Sequence, residues 1–230
     1  MVRRTAAEES WYHELALLRG ELHALDTDIA AARARSEHAQ DGAISFAHHE
    51  PPPLRLSGEP VRLPDGVRIV IRPIEPEDAG ELQRGLEHLS AMSSYRRFRA
   101  HVRHLSRDQL ESLTRVDHQR HEALVALYPP DHAGIGVARY VCDPAAPTDA
   151  EVTCVITDAW QERGVGSVLL DCLAARARTA GVQRFIATMI AGDTRARRLL
   201  ARVAEPIDER DHDGLVRITA RLREPADDHR

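Results

Sequence analysis

Residues 161–166, Gln-Glu-Arg-Gly-Val-Gly, sit between a stretch that reads as a strand (150–157) and one that reads as an amphipathic helix (167–178). A strand, a short glycine-bearing turn and a helix bring several backbone N–H groups and a helix N-terminus to one point. The first N–H groups of a helix have no partners inside it, and the macrodipole adds partial positive charge there. Such a point binds phosphate. Arg163 adds a full positive charge beside it. The segment therefore predicts a phosphate-bearing ligand at the head of the second helix.

Two familiar glycine motifs fail against these residues. A nucleotide P-loop needs a lysine after its last glycine, and all 31 basic residues of this chain are arginine. A dinucleotide fingerprint needs a third glycine for close helix packing, but Gly164-Val-Gly166 continues as Ser-Val-Leu169. The absence of lysine also removes Schiff-base chemistry. A net charge of −5 argues against a nucleic-acid partner and suits a cationic amine substrate. No apolar run approaches the ~20 residues of a membrane span, and the N-terminus lacks a secretory core, so the expectation is a cytoplasmic protein with no membrane partner. Cys142, Cys154 and Cys172 form neither a disulfide framework nor a zinc ribbon and read as small hydrophobes. His101, His104, His118 and His121 make two H-x-x-H pairs that no cysteine or carboxylate pattern completes, so no metal site is expected.

The organisation is a helical segment over 1–39, a Pro-rich linker over 40–64, a domain over 65–224 and a polar tail over 225–230. Trp11, Leu15, Leu18, Leu22, Leu25 and Ile29 form a heptad seam of about three heptads. It predicts either a homodimer or docked partner, or a helix packed on its own domain. The domain alternates strand (67–74), helices (77–88, 90–98, 106–114), strands (123–128, 134–141), a loop (143–148), the 150–157 strand, the long helix, a strand (184–190), a helix (194–203) and a last strand (215–222). Strands up to Thr157 suit antiparallel hairpins. The following strand–helix–strand crossover suits parallel pairing. The fold class is α+β: a mixed, mostly antiparallel sheet flanked by helices.

The pattern Q/R-x-x-G-x-G/A at Gln161, Gly164 and Gly166 resembles the acyl-CoA pyrophosphate loop of the GNAT N-acetyltransferases. The resemblance runs from about Val67 to Leu222. It includes Ile71-Arg-Pro-Ile-Glu-Pro-Glu-Asp-Ala79, Ser93-Ser-Tyr-Arg-Arg-Phe98, Val116-Asp-His118 and Glu122-Ala-Leu-Val-Ala126, which are similar to the branch holding bacterial and actinobacterial protein-lysine acetyltransferases. It implies acetyl-CoA as cofactor and splayed strands around the pantetheine arm. Gln161, Glu162, Arg163, Gly164, Val165, Gly166 and Ser167 would hold the pyrophosphate. The backbone of Val155, Ile156 and Thr157 would meet the pantetheine and supply the oxyanion donor.

Glu151 aligns with that branch's catalytic glutamate. Read without the resemblance, it is equally a solvated residue at a strand's open end. The family's common cofactor-touching asparagine appears here as Asp193, and the helix that follows lacks the usual general-acid tyrosine. The implied activity is acetyl transfer from acetyl-CoA to a primary amine, a protein lysine, by direct transfer. The rivals are a small-molecule amine acceptor and a non-catalytic acyl-CoA-binding module.

Overall fold

The structure, a computed structural model, describes residues 58–98, 102 and 104–224. The helix read over 1–39, most of the linker and the polar tail lie outside the described residues.

Among the described residues, eight strands make one sheet. They are β1 (Glu59–Arg62), β2 (Arg68–Pro73), β3 (His121–Tyr128), β4 (Ala133–Asp143), β5 (Ala146–Ile156), β6 (Arg184–Ile190), β7 (Ala204–His212) and β8 (Leu215–Leu222), in the spatial order β1-β2-β3-β4-β5-β6-β8-β7. Only β5 and β6 pair in parallel. The helices are α1 (Ala79–Glu87), α2 (Ala91–Phe98), α3 (Arg107–Thr114), α4 (Val165–Thr179) and α5 (Thr194–Val203). None of the described helices is long and apolar enough to cross a membrane.

Side chains alternate across the sheet, so each strand feeds two layers. Leu124, Ala126, Ala138, Tyr140, Val152, Phe185 and Ile218 pack with Leu169, Leu170 and Leu173 of α4 and Leu200 of α5. Ala123, Val125 and Leu127 pack on the opposite face with Ile74, Leu82 and Val137. Burial on both faces explains why β3 reads as a nearly unbroken apolar run. Arg72 at the end of β2 donates two hydrogen bonds of 2.7 Å to the buried Asp78 carboxylate, which ties the start of α1 to the sheet.

The sequence expectation departs from the structure at four places. β1 lies in the stretch read as linker, and β7 was not expected at all. Both are edge strands carrying proline (Pro60, Pro206) and charge, which protect an edge and also hide its strand pattern. The loop expected over 143–148 shrinks to a tight turn at Pro144 and Ala145, where the Asp143 carboxylate accepts the Ala145 N–H. Glu151 therefore lies inside β5 rather than at its start. α1 is shorter than the helix expected over 77–88, because a 3₁₀ turn (Pro76–Asp78) precedes it.

Candidate active site

β5 and β6 run side by side only briefly. Their ladder holds Asp149↔Arg184, Ala150↔Phe185 and Glu151↔Ile186, and stops there. Beyond that point β5 stays bonded to β4 and β6 to β8, so a wedge-shaped gap opens between residues 152–156 and 187–190. Glu151 sits at its closed end.

The gap exposes one set of backbone groups. Thr157 N–H donates to the Ile135 carbonyl at 3.1 Å. Backbone groups alternate along a strand, so Val155 also turns its N–H toward β4, while Cys154 and Ile156 turn theirs toward the gap. This corrects the expectation for Val155 and Thr157: of the three residues 155–157, Ile156 presents the gap-facing N–H. The Ile156 carbonyl accepts from the Gln161 side-chain amide at 3.2 Å.

Gln161 is the clasp of the turn. Its amide also reaches Ser93 Oγ at 3.1 Å and Asp158 at 3.0 Å, fastening the turn to α2 and to the end of β5. The chain then reverses through Glu162 (φ 61°) and Gly164 (φ 94°), both left-handed. At Gly164 a side chain would be strained by that φ and would also meet Pro64 Cδ at 3.0 Å. Gly164 is the N-cap of α4, and no side chain caps the helix. Val165 and Gly166 are buried and Ser167 is half-buried in its first turn. The Arg163 guanidinium lies 4.2 Å from the Trp160 ring centroid and 2.7 Å from the Asp65 carboxylate. The Val67 N–H and then Arg163 hold the Asp65 carboxyl below its usual range. Glu162 is exposed and pairs with Arg195 at 2.6 Å.

Asp193 is placed differently. It is the N-cap of α5, and its carboxylate accepts the Ala196 N–H at 3.0 Å. An aspartate performs this as well as an asparagine.

Glu151 shares a sheet face with Thr153, Val155 and Thr157. Arg217 on β8 reaches over β6 and donates to its Oε1 at 3.0 Å. The same face holds a cavity of about 100 Å³ between α1, α3 and β3–β5. Leu82, Leu86, Val137, Arg139, Thr153 and Val155 are among its lining residues. Neither the Arg217 contact nor the cavity was legible in the sequence. Arg217 is 66 residues from Glu151, and no local pattern links them.

The other candidates have structural partners. His118 Nδ1 lies 2.8 Å from Oε1 of the buried Glu122, whose Oε2 accepts from Arg176. Burial and the nearby Arg139 push the His121 imidazole down to about 4. Among the described residues no group of three or more His, Cys, Asp or Glu is placed to hold a metal. Burial pushes the Cys154 thiol up to about 12 and also raises Cys142 and Cys172. Tyr95 is an exposed residue of α2.

A family model, the acetyltransferase (GNAT) domain, matches residues 68–204. The chain belongs to the GNAT acetyltransferase family. Acetyltransferase Pat of Mycolicibacterium smegmatis is 33% identical over 144 residues, which cover 63% of this chain and 43% of that protein. An acetyltransferase of Pseudomonas aeruginosa is 29% identical over 164 residues, 70% of this chain and 86% of that protein. The GNAT domain of S. lividans PAT superposes with a TM-score of 0.64 at 29% identity, covering 71% of this chain and 96% of that one. The match thus spans less than half the length of the M. smegmatis relative.

Acetyl-CoA is the family's acyl donor. The residues present fit it. The uncapped α4 N-terminus offers donors to a pyrophosphate, and the edge of β5 in the gap offers unladdered backbone to an amide-bearing arm.

Proposed function

We propose that this chain transfers an acetyl group from acetyl-CoA to the side-chain amine of a protein lysine, with Glu151 as general base. The observation that supports it best is the position of Glu151: it stands at the closed end of the β5–β6 gap, on the strand that leads into the uncapped helix α4. The lysine acceptor rests on the resemblance to the protein-lysine acetyltransferase branch.

When bound, acetyl-CoA supplies the thioester whose acetyl group passes to the amine. Val165, Gly166 and Ser167 would hold its pyrophosphate through their N–H groups, helped by Arg163. The gap-facing N–H groups of Cys154 and Ile156 are the donors for developing charge on a carbonyl oxygen, Cys154 being the nearer to Glu151. A lysine ammonium, with a reference pKa near ~10.4, must lose a proton before it can attack. Glu151 takes that proton, directly or through one water. The new C–N bond replaces the C–S bond, and the departing thiolate takes a proton from solvent. Transfer is direct: burial raises all three cysteine thiols, which disfavours the thiolate that would have to carry the acetyl group.

Calorimetry with acetyl-CoA, followed by thiol-release assays against lysine peptides and small amines, tests the reading. Glu151→Gln should lower kcat by roughly 10²- to 10⁴-fold and leave acetyl-CoA affinity intact. Unchanged turnover rejects the base assignment, and binding with no turnover on any amine rejects catalysis. Turnover confined to small amines moves the acceptor class. We also infer a homodimer through the helix read over 1–39; deleting those residues should lower the number of chains per particle from two to one by light scattering, and an unchanged number rejects it.

A further inference from the structure

We propose that Arg217 is a positioning residue for acetyl transfer: it holds the Glu151 carboxylate, from across the sheet, in the orientation that meets the acceptor amine. The proposal rests on reading Glu151 as the base. Arg217 Nη1 donates to Glu151 Oε1 at 3.0 Å, and the two side chains are only 26% and 12% exposed. The pair spans a whole strand. In register, Glu151 lies beside Ile186 of β6, whereas Arg217 pairs with Thr188, one pleat further toward the mouth of the gap.

That offset gives the contact a purpose in the chemistry. A glutamate has three rotatable bonds, and a general base must stay within hydrogen-bond reach of the proton that it takes. Ile186 and Thr188 form the β6 part of this face, and Val141 is the β4 neighbour of Glu151. Arg139, the β4 cation one pleat away, donates to the Leu113 carbonyl and lies near His121. Arg217 fixes the carboxylate on the side of β6 and β8. A cation at this point also disfavours the charged form of an arriving ammonium, which eases the deprotonation that the reaction requires.

The test uses the whole chain labelled with carbon-13 at the glutamate carboxyls, with the Glu151 signal identified by its loss in Glu151→Gln. In Arg217→Met the Glu151 titration midpoint should move to higher pH, and Arg217→Lys should restore most of the difference. An unmoved midpoint in a folded Arg217→Met protein overturns the proposal. Transfer to a lysine peptide supplies the second arm. Arg217→Met should lower kcat by about tenfold or more while the affinity for acetyl-CoA, by calorimetry, stays within twofold. In a Glu151→Gln background the same substitution should cost nothing further. Equal losses in both backgrounds overturn the proposal and leave the base intact. Full transfer by Glu151→Gln overturns the base reading itself, even where the titration of the two groups is coupled.

Discussion

Two helices of this domain begin in the same way and end up with different duties. α4 follows β5 and α5 follows β6, each through a short turn at the same end of the sheet. The cap separates them. α4 starts at a glycine with φ 94° and no capping side chain, whereas the Asp193 carboxylate closes the first turn of α5 by accepting from Ala196. A helix that caps itself has already occupied a donor and placed a negative charge where a phosphate would sit. A helix begun by glycine keeps both the donors and the room. On the proposed reading, the cap separates a phosphate site from a structural turn more sharply than the count of glycines does.

The largest way to break this comparison is at Gly164. Gly164→Val forces a branched side chain into the left-handed region and toward Pro64, so acetyl-CoA affinity by calorimetry should fall by more than about tenfold. Retained affinity would place the pyrophosphate elsewhere. Next comes Asp193→Ala, which removes a cap and should cost about 1 kcal/mol in denaturant unfolding while acetyl-CoA affinity changes less than twofold. A large affinity change would make α5 a ligand site as well. A smaller effect belongs to Asp65, which competes for the Arg163 guanidinium. Asp65→Asn should tighten acetyl-CoA severalfold at low salt, and the gain should fade as salt is added.

The smallest effect lies on the other sheet face, remote from both caps. The native His121 imidazole stays neutral down to about pH 4, whereas the unfolded chain takes up that proton near its usual 6.5. Unfolded chains thus bind more protons in that window, so native stability is present above about pH 6.5 and falls as the pH drops toward 4. His121→Asn should flatten that part of the stability–pH curve in denaturant melts, and an unaltered slope would assign it to carboxylates.

Much of this was legible in the chain itself. The bounds of β6 and α5 follow from periodicity. The turn at 161–166 was readable because strand, glycine and helix are contiguous there. What escaped depends on contacts that local sequence does not encode. β1 and β7 are proline-bearing edges whose pairing is decided by their neighbours. Which of Val155, Ile156 and Thr157 faces the gap depends on the parity set by β4. Arg217 meets Glu151 only because β8 lies beside β6. Asp193 stands at the position of the family's cofactor-touching asparagine, and its carboxylate is engaged in its own helix.

The most direct test of the account is a crystal structure of the chain with acetyl-CoA. Acetyl-CoA should bind with its pyrophosphate within hydrogen-bond distance of the Val165, Gly166 and Ser167 N–H groups, its pantetheine arm between β5 and β6, and its thioester beside the gap-facing N–H groups of Cys154 and Ile156, on the Glu151 side of the gap. Acetyl-CoA bound with its pyrophosphate away from α4, or with the β5–β6 gap closed beneath it, would contradict it.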